Sequence, residues 1–329
     1  MTTKKEIRQR LNEIEGYLKE EYKDSREIKE RDWRTYEQRL HHRIKKAMKN
    51  LRPLIQESIS SISIVRGRGR KPTLTLQKRV ELLLLKVLFD KSNRNMECML
   101  TVFTLLTDID VSYKTIERLY SDPEVELALW NLHILLLEKK GIHSCDTSGD
   151  GTGYSLTIKN NYANEITKRK DGAKKNRTKG KKPFVYTFKL LDLDSWLYLA
   201  YGSSAKSEKD AFNKAMRMLQ KVDVELKTVR LDRYYSFPSV VDEFVDTKVY
   251  VIPRKNSTLK GSWKWKRTMK DFVENPMTYL EEYYRRNNSE SAFSADKRQF
   301  GWVIPQRRRD RIENTISCQN LWHNLFNLY

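Results

Sequence analysis

Apolar residues recur at two different periods along the chain, and the change near residue 142 divides it. Before that point the spacing is helical. Leu11, Ile14, Leu18 and Tyr22 stand three to four apart within 4–50, a stretch otherwise dense in Lys, Arg and Glu. One or two exposed helices are expected there, with a short coiled coil as a candidate contact between copies. Arg52-Pro53 and the serines from Ser58 to Ser63 are expected to break the pattern. Three helices are expected over 74–121: LQKRVELLLLKVLF, RNMECMLTVFTLL and, after a polar turn, SYKTIERLYS with a serine start. A further apolar helix fits 123–139.

From about 142 the period shortens to two. IHSCDTSGDGTGYSLTI is a first strand of weak alternation. PFVYTFKLLDLD and SWLYLAYG are rich in aromatic and β-branched residues and read as a hairpin turning near Asp192–Ser195. SEKDAFNKAMRMLQKV is an amphipathic helix with a serine start. LKTVRLD is a short strand ending at Asp232, FPSVVDEFV a helix, and TKVYVIP a strand. The order β-β-β-α-β-α-β-α is that of an RNase H-like mixed sheet flanked by helices. The fold class expected is therefore α/β, an RNase H-like catalytic domain preceded by an all-α region. In such sheets sites form at strand ends, where Asp150 and Asp232 would lie.

Charge changes this picture more than length does. The chain of 329 residues carries 64 Lys and Arg against 43 Asp and Glu, a net +21 with a pI near 9.7. That excess calls for a polyanionic partner, most simply double-stranded DNA, bound with strong salt dependence. No apolar run approaches the ~20 residues of a membrane-spanning helix, and Met1 opens no signal-peptide pattern. Three cysteines, Cys98, Cys145 and Cys318, without a CxxC pair, argue against a disulfide framework or a zinc site. The expected setting is the reduced cytoplasm, with the protein associated with the nucleoid.

Two basic stretches stand out. RGRGRKP, with Arg66, Arg68, Arg70 and Lys71, forms a thin cationic ribbon suited to a narrow minor groove, and equally to a basic linker. Lys159 to Lys182 holds ten Lys or Arg and two acids, as a surface loop or a phosphate-binding arm would. In the helix from Ser112, Tyr113, Lys114, Arg118 and Tyr120 are candidates to read DNA. KNSTLKGSWKWKR, from Lys255, mixes cations and aromatics as backbone contact and base stacking require.

The sharpest pattern lies near the end of the chain. Tyr283, Arg286, Glu290 and Lys297 sit at offsets of 0, 3, 7 and 14. At about 100° per residue they fall at roughly 0°, −60°, −20° and −40°, one narrow stripe of a single helix. Phe293 and Phe300, at about −80° and −100°, mark a core-facing edge beside it. One carboxylate between two cations and a phenol makes poor core but a good phosphate and metal site.

Y-x2-R-x3-E-x6-K resembles the signature of a large group of DDE transposases from prokaryotic insertion sequences, here of archaeal type. The GDGTGY and VRLDRYYS blocks precede it in the expected order. The likeness covers roughly 140–329 throughout and the preceding region more loosely. It implies that Asp150, Asp232 and Glu290 hold two Mg2+ or Mn2+ ions, and that Tyr283, Arg286 and Lys297 contact phosphates of the transposon end. It also implies hydrolysis at the element's 3′ end, attack of the freed 3′-hydroxyl on target DNA, and a homodimer on paired ends. Asp146 is the alternative first ligand; Asp150 fits the family's Asp, small residue, Gly, aromatic pattern better. The expected organisation is a charged helical region over 1–65, a basic ribbon with a helix-turn-helix-like DNA-binding region over 66–140, and the catalytic domain over 141–329.

Three rival readings remain. A single Asp-Thr-Ser-Gly at Asp146 has no second copy to complete an aspartic-protease dyad. A catalytically inactive transposase-derived DNA-binding protein would have no need of the three acids. A metal-dependent structure-specific nuclease would share the sheet but not the stripe.

Overall fold

The computed structural model describes residues 32–63, 72–90, 109–156, 184–254 and 257–329, with a few isolated positions before residue 102. Leu11, Ile14, Leu18 and Tyr22, the ribbon with Arg66, Arg68, Arg70 and Lys71, most of RNMECMLTVFTLL, and Lys159 to Lys182 lie outside the described residues.

Helix α1 runs Trp33–Ile59, its first turn capped by the Asp32 carboxylate, which accepts from the Thr35 amide at 3.1 Å. It passes through Pro53 rather than ending there. A proline inside a helix costs about 3 kcal/mol. Burial of Leu51, Leu54 and Ile55 on the same face offsets this, at roughly 1.5–3 kcal/mol each. Helices α2 (Leu76–Leu88), α3 (Tyr113–Leu119) and α4 (Pro123–Lys140) follow, α4 stopping at Gly141 with φ +69°.

The apolar faces of these helices join one hydrophobic cluster with the last helix of the chain, α10 (Arg309–Asn327). Trp322 of α10 is fully buried and donates its indole N–H to the Leu84 carbonyl of α2 at 2.7 Å. Asn314 donates to the Tyr120 carbonyl at 2.7 Å. Tyr120 itself is buried, because its ring fills this cluster, and so it cannot face DNA. Tyr113 is half-buried; Lys114 and Arg118 remain exposed.

The sheet has five strands in the order β3-β2-β1-β4-β5, with a short sixth, β6, beside β1. The strands are β1 (Ser144–Leu156), β2 (Phe184–Asp192), β3 (Tyr198–Ser204), β4 (Glu225–Leu231), β5 (Lys248–Val251) and β6 (Val303–Ile304). β1 pairs antiparallel with β2 and parallel with β4, so the sheet is mixed, consistent with an RNase H-like fold. The β2–β3 hairpin turns at Leu193–Ser195, where the expectation placed it; Asp192 accepts from the Ser195 amide at 2.9 Å.

Helices cover both faces. α5 (Glu208–Leu219), started by Ser207, and α6 (Pro238–Asp242) close one side over Phe188, Leu190 and Val229. α7 (Trp263–Glu274) adds Trp265 and Met269 to that core. Trp265 is therefore not available for base stacking, whereas Trp263, 80 % exposed, is. α8 (Pro276–Tyr284) packs beyond β5 through Tyr279 and Leu280 on Tyr250. α9 (Asn287–Phe300) and α10 lie on the opposite face, over Leu191, Tyr198 and Tyr154.

Candidate active site

Side chains alternate along a strand, so residues two apart share a face. In β1 the odd positions Gly149 and Gly151 face α5. A Cβ on Gly151 would stand 2.1 Å from the Glu208 carboxylate, and one on Gly149 2.6 Å from the Phe188 ring. These glycines let that face close tightly. The even positions Asp146, Ser148 and Asp150 therefore share the other face, under α9. Asp150 is interior to the strand and is not a turn residue.

Gly149 pairs with Leu231 at the end of β4, so Asp232 follows on the neighbouring strand at the level of Asp150. Asp232 directly follows β4 and caps the short helix Arg233–Tyr235, accepting from the Tyr234 amide at 2.8 Å. α9 is pinned to β1 beside them: the Ser289 hydroxyl donates to Ser148 at 2.6 Å, both residues fully buried. That contact brings Arg286 and Glu290 over the two aspartates.

All three acids meet on one guanidinium. Arg286 Nη1 lies 2.9 Å from Asp150 Oδ2 and 3.4 Å from Asp232 Oδ2, and Nη2 lies 2.8 Å from Glu290 Oε1. Its Nε is buried without a partner. Burial lifts the Asp150 carboxyl, Arg286 and the Gly151 amide pull it back, and the neighbouring Asp232 and Glu290 push it up again, to about 6. Among the described residues no three acidic, His or Cys side chains already stand together as a ready metal cage. Arg286 occupies the middle of the cluster and supplies the charge that keeps the acids together.

Asp146 belongs to a different network. It accepts from the Thr228 hydroxyl at 2.6 Å and lies 3.8 Å from Arg285. Arg285 also pairs with Glu282 at 3.2 Å, and Glu282 with the fully buried Arg230. Four strand steps lie between Asp146 and Asp150, about 13 Å.

The stripe is not carried by one uninterrupted helix. α8 ends at Tyr284 and α9 starts at Asn287. Across the join the backbone bonds tighten to i−3: Arg286 to Tyr283 (3.0 Å), Asn288 to Arg285 (3.2 Å) and Ser289 to Arg286 (2.9 Å). The 100° step therefore fails there: Arg286 and Glu290 stay paired at 2.8 Å, while Tyr283 and Lys297 leave the stripe. Tyr283 is buried in the Tyr250–Tyr279 cluster, with its ring centre 5.8 Å from the Arg286 guanidinium. Lys297 stands away from the carboxylates, its ammonium 4.7 Å above the Trp302 ring and 5.8 Å from that of Tyr154. There it lines an open cleft of about 430 Å³ with Gly151, Thr152, Phe184 and the exposed Trp302.

The sequence reading missed a buried charged group beneath α9. Lys189, paired with Asp150 across β1 and β2, is fully buried and reaches Asp296 Oδ2 at 2.7 Å. Tyr198 donates to the same oxygen at 2.8 Å, and His323 Nδ1 faces the other at 2.7 Å. His323 Nε2 meets the carbonyl of Trp196, a residue at φ +61°, at 2.8 Å. Burial alone would raise Asp296, but Lys189, then His323, reverse this and hold its carboxyl far below the usual range. One signal was present: Asp296 lies three residues after Phe293 and four before Phe300, on the core-facing edge.

No protein-family model matches the chain, and no solved structure matches it. The chain is similar to a protein of Archaeoglobus fulgidus described as a probable transposase for insertion sequence element ISA1214, with 44% identity over 317 residues, 96% of this chain and 92% of that protein. With that identity over nearly the full length of both proteins, the chain belongs to the transposases of archaeal insertion sequences.

Proposed function

We propose that this transposase is a DDE enzyme of the Y-x2-R-x3-E-x6-K group, with Asp150, Asp232 and Glu290 as its metal ligands. The observation that carries the reading is the meeting of those three carboxylates, from β1, the end of β4 and α9, on one guanidinium. The donor set fits Mg2+ or Mn2+: hard carboxylate oxygens from three elements, directed at one point that already holds positive charge. Two such ions, when bound, neutralise the phosphate, activate the attacking oxygen and stabilise the leaving one. Asp146, about 13 Å back along β1, is too far away to share them.

The chain's own residues do the positioning. Arg286 balances the carboxylates here, and its planar fork suits two phosphate oxygens equally well. Tyr283 backs that guanidinium and is a positioning residue. Lys297 and Trp302 offer an ammonium and an exposed ring along the cleft beside Asp150, suited to a strand leaving the site. Lys114 and Arg118 of α3, with the 66–71 ribbon, are proposed to bind the element's ends, and residues 141–329 to form the catalytic domain. Two ends must be held together, so a homodimer on paired ends is part of the proposal.

The test is a cleavage and joining assay on a duplex carrying the element's end, with Mg2+ and a target plasmid. The expected products are a free 3′-hydroxyl at the end and that strand joined to target. Cutting without joining would make the protein a nuclease. A protein–DNA covalent adduct would exclude this chemistry.

A further inference from the structure

A second basic recess lies at the seam between the N-terminal helices and the end of the chain. It is an opening of about 330 Å³ walled by Lys86 of α2, Glu117 of α3, Gln306, Arg307 and Arg308 from the segment joining β6 to α10, and Arg311 in the first turn of α10. Four cations and one carboxylate line it, and a second carboxylate, Asp310, lies beside Arg308. Arg311 pairs with Glu117 and reaches the Ser121 hydroxyl at 3.4 Å, and exposed Arg308 pairs with Asp310 at 2.7 Å. That leaves Lys86 and Arg307, which have no ion-pair partner among the described residues.

Lys86 is the unusual one. It is 3 % exposed and lies in the last turn of α2. Its ammonium has the Tyr120 ring at 5.8 Å for company, and feels Asp90 only through space. Burial lowers its proton affinity. A buried ammonium without a partner costs stability. It lines an opening whose mouth carries an unpaired arginine, which is the arrangement an anion would complete.

The recess is tied to the proposed catalytic cleft by the chain itself. β6 pairs with Ser155 and Leu156, five and six residues beyond Asp150 on β1. Arg307 follows β6 by three residues. Five strand residues cover about 17 Å, and the four steps from Val303 to Arg307 at most about 14 Å. With about 5 Å between the paired strands, the backbone of Arg307 lies at most about 36 Å from that of Asp150, about one turn of B-form duplex at about 34 Å.

We propose that this recess binds a backbone phosphate of duplex DNA, with Lys86 and Arg307 as its ligands, at most about one helical turn from the bond to be cut. The last clause rests on the DDE reading; the phosphate site does not. Its role is to fix the register of the duplex between α3 and the cleft. Phosphate contacts of this kind position without reading sequence.

The test uses the full-length protein and a duplex of about three helical turns, in EDTA, at several salt concentrations. Arg307→Gln is expected to weaken binding about tenfold near physiological salt and to lower the salt slope by about one. Lys86→Met should weaken binding similarly, while the melting temperature without DNA holds or rises by about 2 °C. A methylphosphonate scan should find one phosphate whose neutralisation weakens wild type about tenfold but leaves Arg307→Gln unchanged. Wild-type affinity and slope in both variants would overturn the site while leaving the DDE reading untouched. A Lys86→Met variant that melts several degrees lower would make Lys86 a structural residue and overturn its assignment. Failure of wild-type protein to bind any duplex would overturn both proposals.

Discussion

Asp150→Asn is expected to lower strand cleavage by about a thousandfold or more, with DNA binding and fold retained. The carboxylate stands at the meeting point of β1, β4 and α9, where Arg286 now holds it at 2.9 Å. Asparagine keeps the shape but removes the charge that draws a divalent ion. Loss of folding is not the expected cause. The folded protein holds the Asp150 proton up to about pH 6, whereas an unfolded chain releases it near the ordinary value of 3.8. The native state therefore binds more protons across that window, and stability falls as pH rises through it. Removing the ionisable group removes that penalty, so the metal-free variant should melt no lower than wild type at pH 7. Asp146→Asn is the control. It removes the charge facing Arg285, keeps an oxygen to accept from the Thr228 hydroxyl and leaves the three-acid cluster alone, and should cost less than about tenfold in cleavage. The reverse order of effects would move the first ligand to Asp146.

Asp296→Ala is expected to be the most destabilising single change in the sheet–α9 interface, at about 3–5 kcal/mol. It leaves the Lys189 ammonium, fully buried, without its carboxylate, and strands the Tyr198 hydroxyl and one nitrogen of His323. Replacing both partners, as Lys189→Met with Asp296→Leu, should recover much of the loss, because two apolar side chains leave no charge unsatisfied. The pH dependence follows from the directions of the shifts. Asp296 is held far below its ordinary value, so its contribution is present above about pH 4 and erodes as pH falls below that. Burial lowers Lys189, but Asp296 and Tyr154 more than reverse it, so its contribution persists to about pH 10 and is lost above. Chemical denaturation at pH 7 measures the single and double variants. A cost below about 1 kcal/mol for Asp296→Ala would mean that water already reaches the pair.

Much of the geometry of the candidate site was legible in local sequence because its pieces are local. The alternating glycines of Gly149, Gly151 and Gly153 mark one strand face in tight contact, which leaves Asp150 on the other. LKTVRLD ends at its aspartate as a strand meeting a cap. The strand and helix order was readable because each segment from Phe184 to Val251 keeps one clear period. What escaped depends on residues far apart in the chain. Lys189 in VYTFKLLD reads as an exposed strand position, and only Asp296, 107 residues later, explains its burial. The break at Arg285–Arg286 has no proline or glycine to announce it. Tertiary contacts, Ser289 on Ser148 and Arg230 on Glu282, hold the chain in the tighter turn. α1 passes Pro53 for a similar reason: its apolar face is covered by α4 and α2, and α10, from the other end of the chain, adds to the same cluster.

The central claim is that three carboxylates now balanced by Arg286 form a two-metal centre. Counting Mn2+ bound per protomer, by electron paramagnetic resonance on the wild-type complex with a duplex carrying the element's end, tests it most directly. The account predicts two ions per protomer, and loss of binding in Asp232→Asn with the DNA still held. A complex that cleaves its duplex while binding no Mn2+, or whose Mn2+ survives Asp232→Asn and Glu290→Gln unchanged, would contradict it.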